Sequence, residues 1–235
     1  RYLAETRNFD GTTVVIFQPA EEGGGGGREM CNDGMMDRWG IDEVYGMHNW
    51  PGLPVGEFSI RAGTFFAATD LLKVEFEGRG GHAAKPQETV DTLLMAAHAV
   101  TALQSIVSRN ADPIDRVVLS ITSFATSSNA FNVIPQKVEI LGTVRTTSIE
   151  MQDLVESRVK EVCEGVANTF GGISKVDYNR NYPAMVNSTE QTAFAKDVAC
   201  KISGRCNEAP LVMGGEDFSF MLEERPGAYI LVGDG

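Results

Sequence analysis

Between residues 71 and 182 the chain switches repeatedly between two hydrophobic periods, and this limits the fold more than any other feature. Residues 71–77 alternate apolar and polar as a half-buried strand does, and residues 78–86 follow as a glycine-rich loop. Residues 89–108 read as a long helix with Leu93, Ala97, Val100 and Leu103 toward the core. Residues 116–125 and 137–146 read as strands, separated by a polar loop that carries Asn132-Val133-Ile134-Pro135. A second helix over 149–170 places Leu154, Val155, Val159, Val162 and Val166 on one face, and a strand over 174–182 closes the series.

The resulting order, β-α-β-β-α-β, is the ferredoxin-like split motif over about 110 residues. The flanking segments read differently. Residues 1–66 predict a buried strand at 14–17, a short helix over 28–39 with Gly34 as its weak point, and a strand over 43–47 that delivers His48. A turn-rich loop at 49–54 and a strand over 57–61 follow. After Pro183 come a helical pattern over 190–202, the run Gly214-Gly215-Glu216-Asp217, and an apolar strand at 229–232. The expectation is a larger α/β domain built from residues 1–68 and 184–235, with an α+β sandwich, residues 69–183, inserted into it. A chain of 235 residues has room for both units. No internal repeat is seen.

The chemistry gathers at Gln18-Pro19-Ala20-Glu21-Glu22, which is followed by five glycines. Pro19 has no N–H to donate and ends any ladder. Adjacent side chains at a strand end leave in opposite directions, so one acid can hold a metal while its neighbour reaches the water on it. Solvated loop acids are the plain alternative. With Glu21, Glu22 and His48 the ligand types suit zinc, manganese, cobalt or nickel, but the set is short of a complete site. His48 also reads as a histidine packed beside Trp50. His82, in the second glycine-rich loop, is either a polarising group or a loop histidine of no consequence. The loose Gly78-x-Gly80-x-x-Ala83 pattern matches a dinucleotide site only weakly, because Lys85 and Pro86 intrude before the helix and no ribose-binding acid stands in the right strand. His98 reads as structural. Asn132 serves a substrate carboxylate or caps a turn, and Arg145 pairs with an anion or a nearby acid. Glu216 and Asp217 resemble acids at a helix start, after glycines that allow close approach to a ligand.

A net charge of −12 argues against nucleic acid and anionic membrane partners. Four cysteines without close pairing point to a reducing, cytoplasmic setting rather than a disulfide framework. There is no signal-peptide pattern and no apolar run of membrane-spanning length. Arg1 is not a start methionine and Gly235 follows directly on a strand, so both ends read as cut.

Taken in order, Phe17-Gln18-Pro19-Ala20-Glu21-Glu22-Gly23, Gly46-Met47-His48-Asn49-Trp50-Pro51, Gly80-Gly81-His82-Ala83-Ala84, Asn132-Val133-Ile134-Pro135, Gly142-Thr143-Val144-Arg145 and Gly215-Glu216-Asp217-Phe218 resemble one family. It is the hippurate hydrolase and N-acyl-amino-acid amidohydrolase family, which includes the auxin-conjugate hydrolases. It belongs to the wider aminoacylase and carboxypeptidase-like metallopeptidases. The resemblance covers essentially the whole chain.

It implies an α/β catalytic domain with two divalent metals, and an inserted ferredoxin-like lid that also forms a homodimer. It implies Glu21 as general base, Glu22 and His48 as metal ligands, and His82 on the substrate carbonyl, in its own or the partner subunit's site. Asn132 would hold the substrate carboxylate, with Arg145 and Gly215 also at the substrate. The implied substrate is an N-acyl or N-aroyl amino acid; a dipeptidase or aminopeptidase of the same wider group and a non-catalytic dimeric binding protein on the same scaffold are the rivals. The family's upstream His-x-Cys-Gly-His-Asp segment and a further histidine near its C-terminus are absent from these 235 residues. The resemblance therefore implies an incomplete metal site and a piece that is not active by itself.

Overall fold

Two sheets dominate the computed structural model, which describes residues 2–235. The chain opens with α1 (Tyr2–Thr6), then α2 (Gly26–Asn32) and α3 (Met35–Arg38). Gly34 separates the last two because it adopts φ +74°, a left-handed conformation that no helix continues through. Next come β1 (Val44–Trp50), β2 (Phe58–Ile60), β3 (Gly63–Phe66) and the long β4 (Ala68–Glu77). β5 (Gly81–His82) lies in the glycine-rich loop, and α4 (Thr92–Ser105) follows, ending in a wide turn at Ile106–Asn110. Then β6 (Val117–Thr126), β7 (Val133–Ile134), β8 (Lys137–Thr146), α5 (Ile149–Phe170) and β9 (Ile173–Tyr182) run in order. The chain closes with β10 (Met185–Asn187), α6 (Thr189–Ser203), β11 (Cys206–Glu208), α7 (Ser219–Glu224) and β12 (Gly227–Gly233).

The inner strands form an antiparallel sheet in the order β6-β8-β4-β9, the arrangement that the β-α-β-β-α-β order predicts. Helices α4 and α5 cover one face. Side-chain oxygens start both of them: Asp91 accepts from the Leu93 and Leu94 amides, and Ser148 accepts from the Met151 amide. Leu72, Val74, Phe76, Val138, Ile140 and Val144 project from the sheet into a dry core against Met95, Leu103, Val155 and Val159. Complete burial of each such side chain stabilises the fold by roughly 1.5–3 kcal/mol.

The outer segments build a mixed sheet in the order β1-β12-β2-β11, with β1 parallel to β12 and β2 parallel to β11. β3 pairs with β10 beside it. Phe65, Phe66, Met36, Met221 and Tyr229 form the core between this sheet and helices α2, α3 and α7. The protein is thus mixed α/β.

The helix read over 28–39 is two, α2 and α3, and the strand read over 43–47 runs on to Trp50, so that His48 lies within it. Two further expectations change. Residues 14–17 do not form a strand. Their alternation is real, since Val14 and Ile16 pack on the core while Val15 and Phe17 are 64% and 88% exposed. What is lacking is a ladder: residues 11–16 face β1 across a cleft, and no described strand pairs with them. α4 is also rotated from the expected face. Thr92, Met95, Ala96, Ala99 and Leu103 are buried, whereas Leu93 is 44% exposed. The helix is apolar almost all round, so packing chooses its inner face.

Candidate metal centre

The Glu21–Glu22 turn is strained and closely packed. Ala20 has φ +55°, a region that residues bearing a Cβ seldom occupy. The Gly23 amide donates to the Glu21 carbonyl at 2.6 Å, and the Gly24 amide donates to the Ala20 carbonyl at 3.0 Å. The glycines are needed for contact as well as for turning: a Cβ on Gly26 would lie 1.8 Å from the Pro19 carbonyl oxygen. Glu21 is half-buried by this turn and Glu22 is exposed.

Glu216 and Asp217 approach from the other end of the chain, just before α7. Glu216 is buried and accepts the Tyr229 hydroxyl at 2.6 Å and the Phe218 amide at 3.1 Å. Asp217 is fully buried; it accepts the Gly27 amide at 2.8 Å and the Gln18 side-chain amide. One oxygen each from Glu21, Glu216 and Asp217 lies within 4.8 Å of the others. None of the ion pairs among the described residues reaches these three carboxylates. Burial raises the Glu21 pKa above the ordinary carboxylate value, and the charges of Glu216, Glu22 and Asp217 raise it further, against the opposing pull of His48. Converging acids without a cationic side chain suit a bound cation.

His48 projects from β1 beside this group. Its Nδ1 contacts the Asn49 carbonyl, and because a carbonyl only accepts, Nδ1 carries the proton. Nε2 then keeps a lone pair, the tautomer that a metal-binding histidine uses. Trp50 and Tyr229 hold the ring edge-on at centroid distances of 5.8 and 6.4 Å. Glu21, His48, Glu216, Gln18 and Tyr229 all line one cleft of about 1330 Å³. Carboxylate oxygens with an imidazole nitrogen are the donors of hydrolytic divalent metals. Among the described residues no cysteine lines this cleft, and burial pushes the thiols of Cys31 and Cys163 up to about 11 and about 12.

The whole chain, residues 1–235, matches the sequence model of peptidase family M20/M25/M40. It belongs to that family. The hippurate hydrolase of Campylobacter jejuni is 38% identical over 233 residues, which are 97% of this chain and 60% of that protein. The N-acetyl-L-cysteine deacetylase of Bacillus subtilis is 36% identical over 226 residues, 96% of this chain and 54% of that protein. A solved Bacillus subtilis structure, described as a dinuclear metal binding peptidase from the M20 family, superposes with a TM-score of 0.77 at 29% identity, over 93% of this chain and 55% of that one. The chain therefore spans 60% or less of the length of these relatives.

In this M20-family chain the other expected site residues, Glu22 among them, do not line the cleft. His82 is exposed on β5, which pairs with β7, so His82 lies opposite Val133 and beside Asn132. The Asn132 carbonyl accepts the Ala83 amide at 2.9 Å. The His82 Nδ1 accepts the Ala84 amide at 3.1 Å, which leaves the proton of the neutral ring on Nε2 as a donor. Arg145 is half-buried on β8, bonded to Thr143 and to the Val144 carbonyl, with its pKa lowered by burial. Gly215 packs on β4: a Cβ there would meet Thr69 Oγ1 at 2.2 Å. Sequence reasoning missed Gln18, Tyr182 and Tyr229, and read Glu216 and Asp217 as helix-start acids. The glycine pair ahead of them was the available signal.

Proposed function

We propose that the protein hydrolyses the amide bond of N-acyl or N-aroyl amino acids with metal-activated water. The observation that carries this reading is the convergence of Glu21, Glu216 and the buried Asp217, the first two lining one cleft with His48, in a chain of the M20 family. The names of the two curated relatives, a hippurate hydrolase and an N-acetyl-amino-acid deacetylase, suggest the substrate class.

Glu22 and His48 would hold divalent metal (zinc, manganese, cobalt or nickel), with Glu216 and Asp217 adding negative charge around it. When bound, the metal supplies positive charge that acidifies water and polarises the amide carbonyl. Glu21 takes the water proton on its carboxylate and returns it to the leaving nitrogen. Its raised pKa brings it closer to the working range of a general base. His82 Nε2–H donates to the developing oxyanion. Asn132 and Arg145 bind the substrate carboxylate, and Gly215 keeps the loop before Glu216 close to β4.

The β4–β9 sandwich acts as lid and homodimer surface in this reading, so that His82 and Asn132 reach a cleft in their own or the partner subunit. A reducing compartment suits the free cysteines. Among the described residues no helix is long and apolar enough to cross a membrane.

The test is hippurate hydrolysis by the intact protein after metal stripping and re-addition, beside Glu21→Gln. Metal-dependent benzoate release, abolished in Glu21→Gln without loss of metal, is expected. A parent protein that binds metal and spares every N-acyl amino acid offered would refute the substrate class.

A further inference from the structure

Tyr182 is the last residue of β9, where the chain leaves the sandwich and returns to the outer sheet. Its side chain does not stay in the sandwich. The hydroxyl donates to the Glu21 carbonyl at 2.6 Å and accepts the amides of Gly23 at 3.1 Å and Gly25 at 3.3 Å. A phenol has one proton to give and two lone pairs to fill, so this hydroxyl is fully used by the main chain of a single loop. The bonds bridge separations of 157 to 161 residues.

The loop they hold is the one that displays Glu21 and Glu22, and it begins with the left-handed Ala20. A strained turn of this kind persists only where its surroundings over-determine it. Intraloop bonds supply part of that constraint, and Tyr182 supplies the part that comes from another element. The ring itself is fixed. Phe220 packs against it edge-on at 6.1 Å, and Gly215 leaves so little room that a Cβ there would sit 3.3 Å from Tyr182 Cδ2. Tyr182 is 5% exposed.

We infer that Tyr182 is a positioning residue: its hydroxyl fixes the Glu21–Gly25 main chain to the sandwich exit strand and so sets where the acid pair stands. The inference rests on the hydrolase reading for its catalytic consequence, but the loop contact itself does not depend on it.

Tyr182→Phe keeps the ring between Phe220 and Gly215 and deletes only the hydroxyl. The experiment compares this variant with the parent in the intact protein by amide hydrogen exchange, Mn²⁺ titration and hippurate kinetics, with thermal unfolding to confirm the fold. Exchange at Gly25 is expected to speed up by about tenfold or more, because its amide loses its acceptor, whereas Gly23 keeps its bond to the Glu21 carbonyl. Mn²⁺ binding should weaken and kcat should fall, each by about tenfold, with KM within about twofold of the parent. Unchanged exchange at Gly25 would overturn the clamp. Faster exchange with unchanged Mn²⁺ affinity and unchanged kcat would overturn its positioning role. Faster exchange and weaker Mn²⁺ binding in a protein that hydrolyses no N-acyl amino acid would uphold the inference and sink the proposed reaction instead.

Discussion

The inner sandwich and the outer sheet solve the burial problem differently. In the sandwich, Val74, Phe76, Met95, Leu103, Val155 and Val159 have no exposure at all, and strands and helices from one continuous segment close the core around them. In the outer layer, Tyr45, Met47, Phe194 and Ile202 are exposed around a groove between β1 and α6, and residues 11–16 stand off from β1 across the large cleft. The carboxylate cluster and His48 belong to this second region. The carboxylate cluster thus sits where the sheet is least covered, while the sandwich carries His82, Asn132 and Arg145 outside its closed core. Active-site loops are generally drawn from the less stable parts of a fold.

The largest effect expected from either region is chemical. Glu21→Gln should reduce hydrolysis by about 10²–10⁴-fold while leaving thermal unfolding nearly unchanged, as read by benzoate release and calorimetry. A variant as active as the parent would remove Glu21 from the mechanism. In the sandwich the effect should be on stability instead. Phe76→Ala is expected to cost about 3–5 kcal/mol in denaturant unfolding, since the cavity cannot be filled by neighbours in so closed a core. A loss below about 1 kcal/mol would mean that the sandwich is no better packed than the outer layer.

Asp70 offers a subtler probe, because it is a fully buried carboxyl in the strand that enters the sandwich. Burial raises its pKa above the ordinary 3.8, against the Tyr178 and Gln152 hydrogen bonds and the Arg180 charge, which lower it. The folded state therefore holds this proton more tightly than the unfolded chain. Its contribution to stability is complete below 3.8 and is lost as pH rises through the higher folded value. Asp70→Asn should flatten stability against pH across that interval, measured as midpoints of thermal unfolding in a pH series. An unaltered slope would show that other groups set it. The smallest effect is expected for Phe194→Ala at the exposed groove, within about 0.5 kcal/mol of the parent in urea titration. A cost like that of Phe76→Ala would erase the contrast between the two regions.

Much of the sandwich was legible because its elements carry clean periods. β8 runs over the residues expected, α5 spans Ile149–Phe170 as read, and β9 begins one residue early. α4 was legible as a helix but not as a face, since alanine, leucine and methionine surround it. The run at 14–17 shows the limit of periodicity: it reports which side chains point inward, while a strand also needs a partner. The candidate site was half legible. Glu21 and His48, singled out by motif and residue type, stand in one cleft, whereas the approach of Glu216 and Asp217 to Glu21 and of Tyr182 to its loop was not legible, because those contacts join residues far apart in the chain.

By itself, then, the amino-acid order determined what depends on neighbours in the chain: the extents of β8 and α5, the break at Gly34, the β-α-β-β-α-β series and the acid pair after Pro19. Tertiary structure decided which face of α4 is buried, whether residues 14–17 have a ladder, and which acids meet Glu21. Those outcomes depend on distances between groups up to two hundred residues apart, and only the packing of the two sheets sets them.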